Sequence, residues 1–242
     1  MTDAGKHSRE DKVRDMFARI STQYDRMNRL MTMGRDQAWR RYVVRLSGIR
    51  PGARLLDVGT GTGSIAFEAL RRCPGVKIAA ADFTWKMIQA ARQRKNSNKI
   101  AWLQADGQAL PFKDASFDAV TSGYLIRNVS DPALAFREQV RVVAPGGKVV
   151  CLDTAPPPDN VLKPLILLYM KVLIPLLGRL VTGHQNAYNY LQETTRAFKT
   201  PEELALIMKE AGLENVSSRR LMFGTQVVLS GKRPVDKVDK QV

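Results

Sequence analysis

The sequence predicts an α/β fold in which parallel strands alternate with crossover helices, and three observations lead there. From Arg54 onward, short apolar runs alternate with segments whose apolar residues recur at helical spacing. The first run ends in a turn with three glycines on alternate positions, LLDVGTGTG at 55–63. The length, 242 residues with 44% hydrophobic side chains, suits one domain around a single large core.

Each element can be justified in order. Val13, Met16, Phe17 and Ile20 recur at i, i+3, i+4 and i+7, and Trp39, Tyr42, Val43 and Leu46 do so again, predicting two amphipathic helices within a cover over 13–50. Between them lies YDRMNRLMTMG. Then come RLLDV and a helix at 64–72, KIAAAD and a helix at 84–95, IAWLQAD, FDAVTSG and a helix at 132–143, and KVVCLD. Asp131-Pro132 offers an N-cap followed by proline at the first helical position, and Pro145-Gly146-Gly147 a turn into a strand. Thr200-Pro201-Glu202-Glu203 has the form of a capping box opening a helix over 201–211 that stops at Gly212. The runs at 214–222 and 224–231 are close enough in sequence for an antiparallel pair at the sheet edge. Residues 156–199 are too long for a simple connection and contain VLKPLILLYMKVLIPLLGRLV. Lys163, Lys171 and Arg179 would each cost about 2.5–3.5 kcal/mol at mid-bilayer, and Pro164 and Pro175 interrupt the helix, so the segment is read as helices lying over the sheet. A buried insertion and a lid that also touches lipid both remain open.

Composition bounds the function. A net charge of +15 implies attraction to phosphates, on nucleic acid or on anionic lipid. Cys73 and Cys151 stand far apart, which suggests neither a disulfide framework nor a zinc site and fits a reducing cytoplasm. The first twelve residues, polar and without an apolar run, are expected to be disordered, and 232–242 to form a flexible tail, leaving one domain over 13–231.

A strand that ends in a glycine-rich turn and enters a helix places bare amides beside a ligand, at the crevice outside the carboxyl ends of the strands. Gly59, Gly61 and Gly63 together predict a nucleotide-like cofactor, with Thr62 on the same turn. A dinucleotide fingerprint would need glycine at position 64, where Ser64 stands. Asp57, two residues before the first glycine, would repel a pyrophosphate and favour a cation, which points to the sulfonium of S-adenosylmethionine. Asp82, about 20 residues on, is placed to accept hydrogen bonds from a ribose diol, with Phe83 after it, and Asp106 and Gly107 are placed for the adenine.

At these residues the chain resembles the ubiquinone/menaquinone biosynthesis C-methyltransferase family, a group of class I methyltransferases. The resemblance is carried by YDRMNRLMTMGRDQAW, LLDVGTGTG, QADGQALPFKDASFDAVTSGYLIRNVSD, RVVAPGGKVVCLD and GHQNAYNYLQETTRAF, which together cover most of 13–231. It implies a Rossmann-like, mostly parallel seven-stranded sheet with one antiparallel edge strand, and methyl transfer to a ring carbon of a polyprenyl quinol. It also implies catalytic roles for Arg127 and Asn128, and a substrate pocket with Tyr24, Asp25, Asn28, Tyr124 and Tyr188. A guanidinium holds its proton, so Arg127 is expected to stabilise an oxyanion rather than to act as a base; the plainer alternative is an ion pair with an acid such as Asp131. The chain departs from the family pattern at Asp36, at Tyr124-Leu125-Ile126, at Asp153-Thr154-Ala155 and at His184. No metal is implied.

Polyprenyl quinols reside in the bilayer, and residues 14–50 carry nine arginines against three aspartates. The expected partners are therefore the quinol and an anionic membrane surface, reached from the cytoplasm as a peripheral enzyme. No nucleic acid is expected, and a homodimer stays open. The rival readings are a methyltransferase acting on RNA, one acting on a soluble phenol, and a protein that binds the cofactor without catalysis.

Overall fold

The computed structural model describes residues 14–19, 21, 23–173 and 198–235. A seven-stranded sheet in the order β3-β2-β1-β4-β5-β7-β6 forms its centre. The strands are β1 (Arg54–Val58), β2 (Lys77–Asp82), β3 (Ile100–Gln104), β4 (Phe117–Gly123), β5 (Val143–Thr154), β6 (Glu214–Leu221) and β7 (Gln226–Lys232). β1 to β5 pair in parallel, and β7 runs antiparallel between β5 and the edge strand β6. The antiparallel strand thus lies one place in from the edge.

The helices are α1 (Tyr24–Met31), α2 (Asp36–Ser47), α3 (Ser64–Arg72), α4 (Trp85–Arg92), α5 (Pro132–Val142), α6 (Lys163–Leu168) and α7 (Pro201–Glu210). Alternate side chains of the strands feed two cores. Leu55, Ile78, Ala119 and Val150 pack with α2 and α3 on one face, and Leu56, Val58, Val120 and Val149 pack with α5 and α7 on the other. Two caps match their sequence signals. Asp131 accepts a hydrogen bond from the Leu134 amide at 3.0 Å, and Thr200 and Glu203 form a reciprocal capping box before α7.

Two expectations need correction. YDRMNRLMTMG holds a helix of its own, α1, whose Met27 and Met31 are buried one turn apart. They join Ile166 and Met170, so the cover and the segment after β5 share a small methionine-rich core. Pro145-Gly146-Gly147 lies inside β5 as a bulge: pairing with β4 passes from Val143 opposite Phe117 to Lys148 opposite Ala119. Among the described residues, no helix is long and apolar enough to cross a membrane. Val13, Ile20, the stretch 174–197 and the tail beyond 235 lie outside the described residues.

Candidate active site

The chain order reverses direction between β1 and β4, and the loops after β1, β2, β3 and β4 open on one crevice there. A cavity of about 790 Å³ occupies it, lined by Gly59, Gly61, Asp82, Phe83, Asp106 and Gly107. Gly59 has φ +64°, and a Cβ there would come within 2.9 Å of Leu125. The Gly61 amide donates to Asp82 at 2.7 Å and the Thr84 amide does so at 2.8 Å, which locks the carboxylate against the turn. Each carboxylate oxygen keeps a lone pair for a ligand hydroxyl. Burial raises the Asp82 carboxyl to about 6, against the pull of those two amides.

Four predicted residues lie elsewhere. Asp57 is buried beneath the turn, accepting from the Thr60 hydroxyl at 2.6 Å and the Thr121 hydroxyl at 2.8 Å. It braces β1 against β4 rather than facing a cation directly, and burial raises its carboxyl to about 6. The Thr62 hydroxyl donates to Asp25 at 2.8 Å, turned away from the cavity. Gly63 precedes α3 with φ +80°, and a Cβ there would meet Trp102 at 2.6 Å, so its bareness serves packing. Asp25 also accepts from Ser64 at 3.1 Å and stands 3.5 Å from Arg94, so it pins α1 to the start of α3 instead of facing substrate.

A second cavity, of about 1290 Å³, adjoins the first. Its walls are chiefly apolar, from Met31, Leu162, Leu165, Ile166, Met170 and Phe223, and its polar groups include Asn28, Arg127, Thr154 and Gln226. Tyr124 lines both cavities and so forms the partition between them. It holds φ +59°, a conformation costly for a bulky residue. Its amide donates to Leu152 at 2.7 Å, and burial raises its phenol well above the usual value. Tyr24 lines the cofactor cavity and Asn28, one turn along α1, the other. Burial raises the Tyr24 phenol too, against the opposing charge of Arg127.

Arg127 and Asn128 sit on a 3-10 turn after β4, one on each side of the partition. Arg127 is buried, its Nε 3.6 Å from Asp153 and its guanidinium 5.3 Å from the Tyr124 ring centre. The Arg127 amide donates to the other Asp153 oxygen at 3.2 Å. Asp153, rather than Asp131, is therefore its acid. Burial raises the Asp153 carboxyl, and Arg127 opposes that rise. Nη1 of Arg127 is buried without a hydrogen-bond partner and Nε meets Asp153 only at ion-pair distance; the Asn128 side-chain carbonyl oxygen also lacks a partner, while the Asn128 amide donates to the Tyr124 carbonyl at 2.7 Å.

A glycine turn, a ribose-type carboxylate and an adenine-side loop on one crevice are the parts of a methyltransferase cofactor site, and residues 5–233 match the ubiE/COQ5 methyltransferase family. The chain belongs to that family. As a methyltransferase of this family it uses S-adenosylmethionine. It is 42% identical over 213 residues to the ubiquinone/menaquinone biosynthesis C-methyltransferase UbiE of Desulfotalea psychrophila, covering 88% of this chain and 87% of that one. It is 39% identical over 221 residues to a demethylmenaquinone methyltransferase of Thermus thermophilus, covering 90% and 100%. Among solved structures, a SAM-dependent methyltransferase of Thermotoga maritima superposes with a TM-score of 0.64 at 21% identity, covering 90% of this chain and 99% of that one. This likeness shows the fold.

Family resemblance left part of the second cavity unread. Thr154 is marked in the sequence only as part of a departure from the family near the acceptor pocket, and Gln226 and Phe223 not at all, although β7 runs antiparallel and so brings its amino end to the same end of the sheet as the carboxyl end of β5. A lone polar residue opening the apolar run at 226 is the signal that could have found one of them. Of the departures from the family, Asp36 lines neither cavity and pairs with Arg40 at 2.7 Å. Tyr188 and His184 lie outside the described residues.

Proposed function

We propose that this chain methylates a ring carbon of a prenylated hydroquinone, demethylmenaquinol or its ubiquinone-pathway equivalent. The observation that carries this reading is the large apolar cavity meeting the cofactor cavity at Tyr124, with the buried Arg127 in its wall. The names of the relatives support the same acceptor class.

When bound, S-adenosylmethionine supplies an electrophilic methyl group on a sulfonium and leaves as the neutral thioether. Asp82 is positioned for the ribose hydroxyls, Asp106 and Gly107 for the adenine, and Gly59 and Gly61 let the backbone approach closely. On the acceptor, a hydroxyl beside the target carbon gives its proton to water and pushes electron density into the ring. The ring carbon forms the new bond, then sheds its own proton to restore aromaticity. Arg127 stabilises the phenolate by charge from the Nη1 side of its guanidinium, while Asp153, facing Nε, fixes its orientation. Asn128 faces the cofactor side, where its carbonyl can orient a hydroxyl or water.

The acceptor's prenyl tail calls for a lipid-facing entrance. Leu165 and Phe223 line the second cavity while 64% and 57% exposed, so its mouth is apolar and supports loading from a bilayer. Together with the arginines of 14–50, this favours a peripheral enzyme at an anionic membrane surface.

The direct test incubates purified enzyme, methyl-labelled cofactor and a demethylated prenylated hydroquinone in detergent, with mass spectrometry of the product. A carbon-methylated hydroquinone is expected. Label on RNA, or on a water-soluble phenol with none on the prenylated ring, would overturn the reading.

A further inference from the structure

Thr154 ends β5 and Gln226 begins β7, and the two stand directly opposite in the antiparallel register, so their side chains leave the same face of the sheet. Both line the apolar cavity. The Thr154 hydroxyl oxygen and the Gln226 side-chain carbonyl oxygen are buried there without a hydrogen-bond partner. Thr154 as a whole is only 4% exposed. Native interiors seldom leave such groups unpaired, because each one costs desolvation without return.

Arg127 and the Thr154–Gln226 pair, two of the polar stations of this cavity, differ in chemistry. Arg127 offers donors only, and therefore suits an oxygen that carries negative charge. A carboxamide oxygen accepts only, while a threonine hydroxyl both donates and accepts. A hydroxyl group satisfies that pair, giving its hydrogen to Gln226 and receiving one from Thr154. With the Gln226 carboxamide oriented as it is here, oxygen towards the cavity, a carbonyl or an oxyanion in the same place would set oxygen against oxygen.

This rests on the hydroquinone reading above, and we propose that Thr154 and Gln226 grip the far, still-protonated hydroxyl of the acceptor, opposite the oxygen that faces Arg127. The pair then selects the reduced ring. An oxidised quinone has no hydrogen to give Gln226, so it binds weakly and does not block the cavity. A membrane pool holding both redox forms would otherwise present the enzyme with a competitor of nearly identical shape.

The test measures dissociation constants for one prenylated ring in its hydroquinone and quinone states, in detergent, with the reduced state maintained by dithionite. Wild type is expected to prefer the hydroquinone by about tenfold or more, the effect of one buried hydrogen bond and its lost partner. Gln226→Leu should bring that preference close to unity, whereas Thr154→Val should weaken both forms alike, because its hydroxyl donates to the ring oxygen in either redox state, and Thr154→Ser should recover that loss. Adenosylhomocysteine affinity reports that each variant is folded. Equal binding of both forms by wild type, a parallel loss of both in Gln226→Leu, or unchanged binding of both in Thr154→Val would overturn the assignment. Methylation of the hydroquinone by wild type, assayed alongside, keeps the two readings apart: turnover without redox preference removes this subsite alone, and absence of turnover and binding removes both.

Discussion

At the scale of single residues, two carboxylates and one guanidinium decide the behaviour of the site. Asp57 and Asp82 are buried, and each carboxyl is raised from 3.8 to about 6. Between those values the folded chain keeps protons that the unfolded chain has released, so stability falls as pH rises through that window and the loss is complete above about 6. Asp57→Asn should flatten this slope in thermal midpoints recorded from pH 4 to 7.5. Cofactor binding should move the other way, because a ribose diol donates to the ionised form. Affinity for adenosylhomocysteine is expected to weaken as pH falls through about 6 in wild type, and to lose that inflection in Asp82→Asn. Arg127→Lys keeps the charge beside Asp153 but loses the fork geometry. Turnover should drop by about 10²–10³ with cofactor affinity unchanged, the usual cost of losing an oriented donor to a developing oxyanion. Survival of full turnover would remove Arg127 from the chemistry.

At the scale of elements, what the sequence made legible follows from how local each signal is. The Thr200–Glu203 box and the Asp131-Pro132 cap act within four residues of chain, and both helices start where those residues say. Thr200→Ala should cost about 1 kcal/mol in denaturant unfolding. The strands were readable because a sheet covered on both faces demands continuous apolar runs. α1 was not, since its two buried methionines share eight residues with two arginines, an aspartate and an asparagine and gain much of their burial from a distant segment after β5. The contacts of Asp25 were illegible for a related reason: its partners Thr62 and Ser64 lie 37 and 39 residues away, and nothing local distinguishes a clamp from a substrate ligand. Asp25→Ala is accordingly expected to loosen the α1 cover. Limited proteolysis should cut faster within 23–35, while turnover at saturating acceptor changes little. A collapse of turnover with unaltered cleavage would return Asp25 to the acceptor pocket.

At the scale of the whole molecule, charge and oil act together on where the enzyme sits. A net charge of +15 attracts the chain to anionic headgroups from a distance of about a Debye length, and that attraction fades with salt. Charge alone would serve RNA equally well. The apolar residues around α6 favour the proposed membrane surface, because Val161 is 92% exposed and Leu168 57%, yet neither lines either cavity. Side chains of this kind cost solubility in water and gain free energy only against another apolar phase. Replacing both with aspartate should therefore lower co-sedimentation with vesicles of phosphatidylglycerol and phosphatidylcholine. It should also slow methylation of a long-chain acceptor embedded in those vesicles, since delivery then limits the rate. A short-chain hydroquinone presented in detergent needs no delivery, so its turnover should stay at the wild-type level. If vesicle binding survives the double replacement but disappears in high salt, the basic cover alone docks the enzyme, and the apolar rim serves only to seal the acceptor cavity.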